Sequence, residues 1–310
     1  MLRSASILDL PFIASLQGQA LGSAAVTLES LTGGHGIGNS FGLLVTQGLM
    51  KRSRRHAVVV TSQGRAVGFG IVRRRMGLSC WEVEWAEVAK GAEAVWPELL
   101  EGLSGPVSIQ GGQRLLLRLA DGSPIDRAAQ QAEFRPYCRE EHYALTVRIQ
   151  DEAGATEFPG LRPAAADDEL GLYQLYRASA PPQVRDAEGV TIDQWKESRP
   201  ALAGWHMQGE FICEREGRII GWSAATRRGD TALLGIVVAG ANGDVARALT
   251  AAAMREAQGA SSALCLMPGH QHSAAAALQA NGFAKRGDYT LYVKHVTARV
   301  GQPEIAMARA

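Results

Sequence analysis

The sequence has little cysteine, almost no net charge and no long apolar run, and each shortage removes a class of function. Four cysteines in 310 residues, Cys80, Cys138, Cys213 and Cys265, stand far apart without metal-ligand spacing. They suit a reducing compartment and build neither a disulfide framework nor a zinc site. A formal net charge of +1 gives no field to recruit nucleic acid or anionic lipid. The basic cluster Lys51–Arg55 is short and reads as a solvated loop. The longest apolar run is about half a membrane-spanning helix. Arg3, Ile7–Leu16 and the small residues Gly22–Ala25 outline a secretory signal, but Asp9 and Pro11 interrupt its apolar segment. The expectation is a cytoplasmic protein with no nucleic-acid and no membrane partner. A hydrophobic content of 46% with 20% charged residues allows a full core, in one large domain or two ordinary ones.

The stretch from Gly217 to Gln258 organises the rest. Glu210–Glu214 and Ile219–Thr226 read as a hairpin around the turn Gly217-Arg218, and Arg227-Arg228-Gly229-Asp230 turns the chain again. Ala232–Val238 is apolar throughout, the pattern of a strand covered on both faces. Gly240-Ala241-Asn242-Gly243-Asp244 follows, with Asn242 or Asp244 able to cap a helix over Val245–Gln258. A strand that leads through small residues into a helix N-terminus can present backbone N–H groups to an anion. Downstream come a strand at Ser262–Met267, an alanine-rich helix at Ser273–Ala280 closing on Asn281-Gly282-Phe283, and a last alternating strand at Tyr289–Lys294.

That order, over residues 161 to about 295, resembles the core of the GNAT (N-acetyltransferase) superfamily. The resemblance implies an α/β (α+β) fold with a mixed, mostly antiparallel sheet flanked by helices. It implies acetyl-CoA as cosubstrate, its thioester along Ile236, Val237 and Val238 and its pyrophosphate over Asn242, Gly243, Asp244, Val245 and Ala246. It also implies a small-molecule or peptide amine acceptor, covered by the segment Ala180–Trp205. The sequence departs from the family in three places. Gly240–Asp244 is short and ends in an acid; Leu278 stands where a Tyr often serves as acid; Gln271 stands where an Asn is common. Two functions follow as alternatives: an acetyl transfer, or a catalytically inactive protein that binds a ligand or partner.

Acetyl transfer to an amine needs a base, an N–H donor for the thioester oxygen and an acid for the thiolate. The donor implied by the resemblance is the backbone of Val237 or Val238. Tyr289, near the start of the last strand, and His270, in the loop before the alanine-rich helix, are the candidate proton carriers; Tyr289 also reads as packing. His270 and His272 lack a third ligand for a metal, so no metal is expected. In the first half Glu82 and Glu84 share one strand face, either as a base of raised pKa or as an outward polar face.

The two halves look like copies. Leu2-Arg3-Ser4-Ala5 with Asp9 matches Leu161-Arg162-Pro163-Ala164 with Asp168, and Gly64-Arg65-Ala66-Val67-Gly68 matches Gly217-Arg218-Ile219-Ile220-Gly221. Arg73-Arg74 matches Arg227-Arg228, and Gln131–Phe134 matches Ala280–Phe283. Tyr143, Leu145 and Val147 match Tyr289, Leu291 and Val293 at a separation of 146 residues. Constant order with slowly drifting separation is the mark of a duplication. The expected organisation is a degenerate GNAT-like domain over 1–150, a linker over 151–160, a second GNAT-like domain over 161–296 that holds the cofactor site, and a tail over 297–310. Gly33-Gly34-His35-Gly36-Ile37-Gly38 imitates a phosphate loop but precedes the first hairpin, the wrong place for one.

Overall fold

A computed structural model describes residues 1–17, 23–32, 54–76, 79–146, 158–198 and 205–297. Gly33–Gly38, most of the expected linker and nearly all of the tail lie outside them. The first half contributes strands β1 (Leu2–Ser4), β2 (Arg55–Ser62), β3 (Arg65–Met76), β4 (Cys80–Val88), β5 (Arg114–Ala120) and β6 (Arg135–Leu145). The second contributes β7 (Leu161–Pro163), β8 (His206–Arg215), β9 (Arg218–Arg228), β10 (Thr231–Val238), β11 (Ser262–Pro268) and β12 (Ala284–His295). The helices are α1 (Leu10–Gln17), α2 (Leu28–Leu31), α3 (Trp96–Gly102), α4 (Ser104–Ile109) and α5 (Asp126–Gln131). In the second half they are α6 (Glu169–Ser179), α7 (Pro182–Glu188), α8 (Ile192–Ser198), α9 (Gly243–Glu256) and α10 (His272–Ala280).

All twelve strands form one sheet in the order β1-β2-β3-β4-β5-β12-β6-β11-β10-β9-β8-β7. Adding six to each label of the first half reproduces the second half read backwards, so the sheet has a pseudo-twofold axis. The fold is the expected mixed α/β arrangement, parallel only at β4–β5 and β10–β11 among the described pairs. What the sequence did not announce is an exchange. β12 lies between β5 and β6, and β6 lies between β12 and β11, so each half completes the other's sheet.

Local chemistry repeats with the topology. Arg3 grips the Asp9 carboxylate through two nitrogens at 2.8 and 2.6 Å, and Arg162 grips Asp168 at 2.7 and 2.8 Å. In both, the same carboxylate accepts a backbone N–H three residues earlier, from Ser6 or Ala165. Both hairpins turn on two consecutive left-handed residues, Gln63-Gly64 and Glu216-Gly217, the conformation that follows strand twist in a two-residue loop. Phe134 and Phe283, each at most 3% exposed, close the helices before β6 and β12 by donating N–H to Ala129 and Leu278.

One expected match is corrected. The irregular pairs Lys285↔Tyr143 and Tyr292↔Pro136 exchange with one another at a separation of 149 residues, which places the axis at the rung Tyr289↔Glu140. Tyr143 therefore corresponds to Tyr292, not Tyr289. Both sit in the core against the helices, Tyr143 with the second half and Tyr292 with the first. Tyrosine stands at both 289 and 292, and Tyr289-x-Leu291-x-Val293 imitates Tyr143-x-Leu145-x-Val147, which is how the slip escaped notice; an odd slip puts the side chain on the other face of the sheet.

Expected burial of β10 is also corrected. Ala232, Leu234, Ile236 and Val238 are buried under α9, whereas Leu233, Gly235 and Val237 on the opposite face are only half-covered. The apolar run therefore marks a strand with one closed face and one partly open face. Pro97, awkward inside a helix, sits in the first turn of α3, where its missing N–H costs nothing.

Candidate active site

β10 and β11 pair only from Thr231↔Ser262 to Leu233↔Leu264, and β10 then runs on to Val238 with that edge open. On its other edge β10 stays paired with β9 through Val237↔Trp222 and Val238↔Gly221. The result is a wedge between two parallel strands, with the N-terminus of α9 at its mouth. Gly221 sets how close α9 comes: a Cβ there would stand 2.5 Å from Leu249 and 2.8 Å from Val245. Gly240, at φ +61°, makes the turn from strand to helix.

Neither expected cap forms. The Asn242 side chain donates back to the carbonyl of Ala239, and Asp244 pairs with Arg247 one turn along the helix. The first turn of α9 thus has no side-chain cap, and orphan N–H groups of a helix start face outward beside the wedge. These are the N–H groups of Gly243, Asp244 and Val245; Ala246 already donates to Asn242 O at 3.0 Å.

Inside the wedge the Val238 N–H donates to Gln271 Oε1 at 2.9 Å, in a buried bond. Gln271 caps the start of α10 and is 5% exposed. Sequence reading had given it only as a replacement for Asn, and its grip on β10 was visible only in three dimensions. His270 is its neighbour, and burial, with His272 close by, pulls the imidazole below its usual pKa and favours the neutral form. Among the described residues no cluster of three His, Cys, Asp or Glu could hold a metal. Leu278 is fully buried in the second-half core and has no route to a thiolate.

Tyr289 is placed elsewhere. Strand exchange sets it opposite Ala120 of β5 and Glu140 of β6. Three strand spacings, about 14 Å, separate β12 from β10, so Tyr289 stays at the axis, while His270 adjoins Gln271, whose side chain reaches β10. Burial raises the Tyr289 pKa above the ordinary phenol value. The segment expected to cover the acceptor also crosses over. Val184 and Ala187 of α7 pack on Cys80 and Leu116 of the first half, and Gln194 Nε2 donates to Ser79 Oγ at 2.7 Å.

The first half opens in the same way, since β4 and β5 pair only from Cys80↔Arg114 to Glu82↔Leu116. Its wedge is filled by the chain itself. Ala24 N–H donates to Ala86 O at 2.9 Å, Ser23 Oγ accepts from Ala86 N–H at 3.0 Å, and Val26 N–H donates to Arg118 O at 2.9 Å. Ala25 is 2% exposed in the core beneath. The small residues that outlined a signal cleavage site are small because they thread between two strands. Glu82 and Glu84 are spoken for by Arg73 and Arg55, and Arg73 also holds Glu29, so the pair is a half-buried ionic network and no free base.

Glu87 differs: it is 2% exposed, neither oxygen has a hydrogen-bond partner among the described residues, and burial raises its pKa. A carboxyl raised in the folded state stabilises below its unfolded pKa and loses that contribution as pH rises through the folded value. Glu87→Gln is therefore expected to raise stability at pH 7 by about 1–3 kcal/mol, the scale of one uncompensated buried polar group, with no gain at pH 4. Urea unfolding at the two pH values checks it; an equal effect at both would show that charge is not the cause.

No family model and no curated protein matches the chain by sequence. Solved structures match it by shape. A GCN5-related N-acetyltransferase from Sphaerobacter thermophilus superposes with a TM-score of 0.54 at 16% identity, over 95% of this chain and 95% of that one. A tandem GNAT protein from the clavulanic acid biosynthesis pathway, solved without AcCoA, gives 0.54 at 14% identity, over 95% and 98%. A Drosophila protein gives 0.52 at 16% identity, over 96% and 99%.

Proposed function

We propose, from the premise of a tandem GNAT fold, that the second half binds acetyl-CoA and passes its acetyl group to an amine. The observation that carries this is the contrast between the wedges: one is threaded by Ser23–Val26, whereas the other, among the described residues, is entered only by the Gln271 side chain and lies beside an uncapped helix start. Pantetheine would lie along Ile236–Val238 and pyrophosphate over Asn242–Ala246. Neutral His270 would take the ammonium proton, directly or through water, and the half-covered face of Leu233, Gly235 and Val237 would receive the acceptor. No helix among the described residues is long and apolar enough to cross a membrane. The domain limits 1–150 and 161–296 belong to this proposal, with β6 and β12 traded between them. A competing reading, binding without turnover, is favoured by the burial of Leu278, which leaves no acid at that position.

Calorimetric titration with acetyl-CoA tests the binding, and one site per chain is the expected stoichiometry. Asp244→Gly is expected to tighten it. The carboxylate repels a phosphate and now occupies Arg247; both side chains are exposed, at 74% and 64%. Its removal frees a guanidinium one turn from the helix start, with a gain of about 1 kcal/mol, roughly fivefold. If neither wild type nor Asp244→Gly gives heat at millimolar acetyl-CoA, the assignment fails. Release of CoA in the presence of simple amines then separates turnover from binding alone.

A further inference from the structure

The amide that a strand would offer to an acyl carbonyl is not free in this wedge. Val238 N–H points into the opening and is consumed by Gln271 Oε1 at 2.9 Å. Gln271 is held from both sides, its N–H donating to Pro268 O at 2.9 Å and its carbonyl accepting from Ala275 N–H at 3.0 Å. Only its side chain enters the wedge, whereas in the first half backbone as well as side chain does so through Ser23 and Ala24. A carboxamide is acceptor and donor on one carbon. With Oε1 turned to β10, Nε2 is turned away from it, and among the described residues Nε2 makes no hydrogen bond.

We infer that Gln271, through Nε2, is the group that holds the acyl carbonyl in this wedge, in place of the strand amide; the inference rests on the acetyl-CoA reading above. Val238 fixes the rotamer, and Gln271 passes the strand's donor one side chain further out. During transfer the amine nitrogen bonds to the thioester carbon and the carbonyl electron pair moves to oxygen, where Nε2–H meets it. Collapse of that adduct breaks the carbon–sulfur bond and expels the CoA thiolate. His270 passes the first proton, taken from the ammonium, to solvent. The second leaves the same nitrogen as the adduct collapses and reaches the thiolate through the imidazole, so the amide, free CoA, one solvent proton and the original imidazole remain. A donor placed on the developing oxyanion acts mainly on the transition state, and to a smaller degree on the bound thioester.

The test compares affinities for acetyl-CoA and for CoA, which lacks the carbonyl, in wild type, Gln271→Glu and Gln271→Ala, with melting temperatures alongside. Glutamate still accepts from Val238 N–H but has no proton to give at pH 8. Gln271→Glu is expected to weaken acetyl-CoA binding at least tenfold while CoA moves less than threefold. Gln271→Ala releases Val238 N–H to the ligand and should fall between glutamate and wild type. An unchanged acetyl-CoA to CoA ratio in Gln271→Glu overturns the inference. Tighter acetyl-CoA binding by Gln271→Ala than by wild type would show a block and not a donor. Equal loss of both ligands with a lower melting temperature would show a structural role only. If wild type binds neither ligand, it is the proposed function that fails.

Discussion

Residues 161–297 expressed alone are expected not to fold as a monomer, and neither are residues 1–150. β12 has Leu117 and Leu116 opposite Tyr292 and Val293, all contributed by β5 of the first half. β6 in turn lines β11 from Ala263↔Leu145 to Pro268↔Glu140, all but its first residue. A separated half keeps a strand without a neighbour and loses one from its centre, leaving two bare edges prone to association. Packing fails as well. Tyr143 would leave the second-half core, Tyr292 would leave the first-half core, and Leu291 and Val293 would lose Cys80, Leu116 and Tyr137 in the cluster that both halves share. At about 1.5–3 kcal/mol per large apolar side chain, the loss reaches the whole net stability of an ordinary domain, about 5–15 kcal/mol. The buried pairing of Lys294 with Glu101 and with Ala132 O goes too. Co-expressed halves should copurify one to one, because the exchanged strands alone specify the partner. Size-exclusion chromatography and circular dichroism of each half settle it: a folded monomer of either half with a cooperative melt would contradict the exchange.

What could be read in the residues was whatever depends on neighbours in sequence. The hairpins at Gly64 and Gly217, the matching positions of Arg3 and Asp9 with Arg162 and Asp168, and the strand–loop–helix order around Gly243 are local, and the duplication and fold class followed from them. The second turn lies one residue earlier than read, at Glu216-Gly217, and the Arg–Asp grips were seen only in the structure. Strand exchange was not legible. β6 and β12 have the same alternation whichever neighbour they take, and the choice between partners is made by packing far away in sequence. For the same reason the place of Tyr289 at the axis, between β5 and β6, was not foreseen, and Tyr143 was aligned three residues off.

The site divides along the same line. The proposed cradle, Ile236 to Ala246, was named from the resemblance that the element order carries, whereas what enters the two wedges was not. Nothing in Ser23-Ala24-Ala25-Val26 announces a segment threaded between β4 and β5, because small residues in an extended run also describe a loop. Nor could Asp244 be read as a partner of Arg247 in preference to a cap, since both roles need a carboxylate in the first turn of a helix.

Gly243→Leu is expected to abolish acetyl-CoA binding while leaving the fold intact. Gly243 begins α9 with a φ that an L-residue adopts, and a Cβ built there meets nothing nearer than Arg247 Nη1 at 3.7 Å. The side chain therefore enters open space, and the melting temperature should shift little. That space is where a pyrophosphate must come within hydrogen-bond distance of the N–H groups of residues 243 to 245. An isobutyl group beside them keeps the anion out and strips water from the donors without replacing it. Loss of two such charge-assisted bonds, at about 1.5–3 kcal/mol each, corresponds to at least a hundredfold weaker binding. Gly243→Ala, with only a methyl group, should cost far less, about tenfold. Gly221→Ala is the control in the opposite sense. Its methyl group collides with Leu249 and Val245 beneath the helix, so it should lower stability and move the whole helix start. Titration of the three variants with acetyl-CoA, beside thermal melts, decides the matter. A Gly243→Leu protein that binds as tightly as wild type would place the pyrophosphate somewhere other than the start of α9.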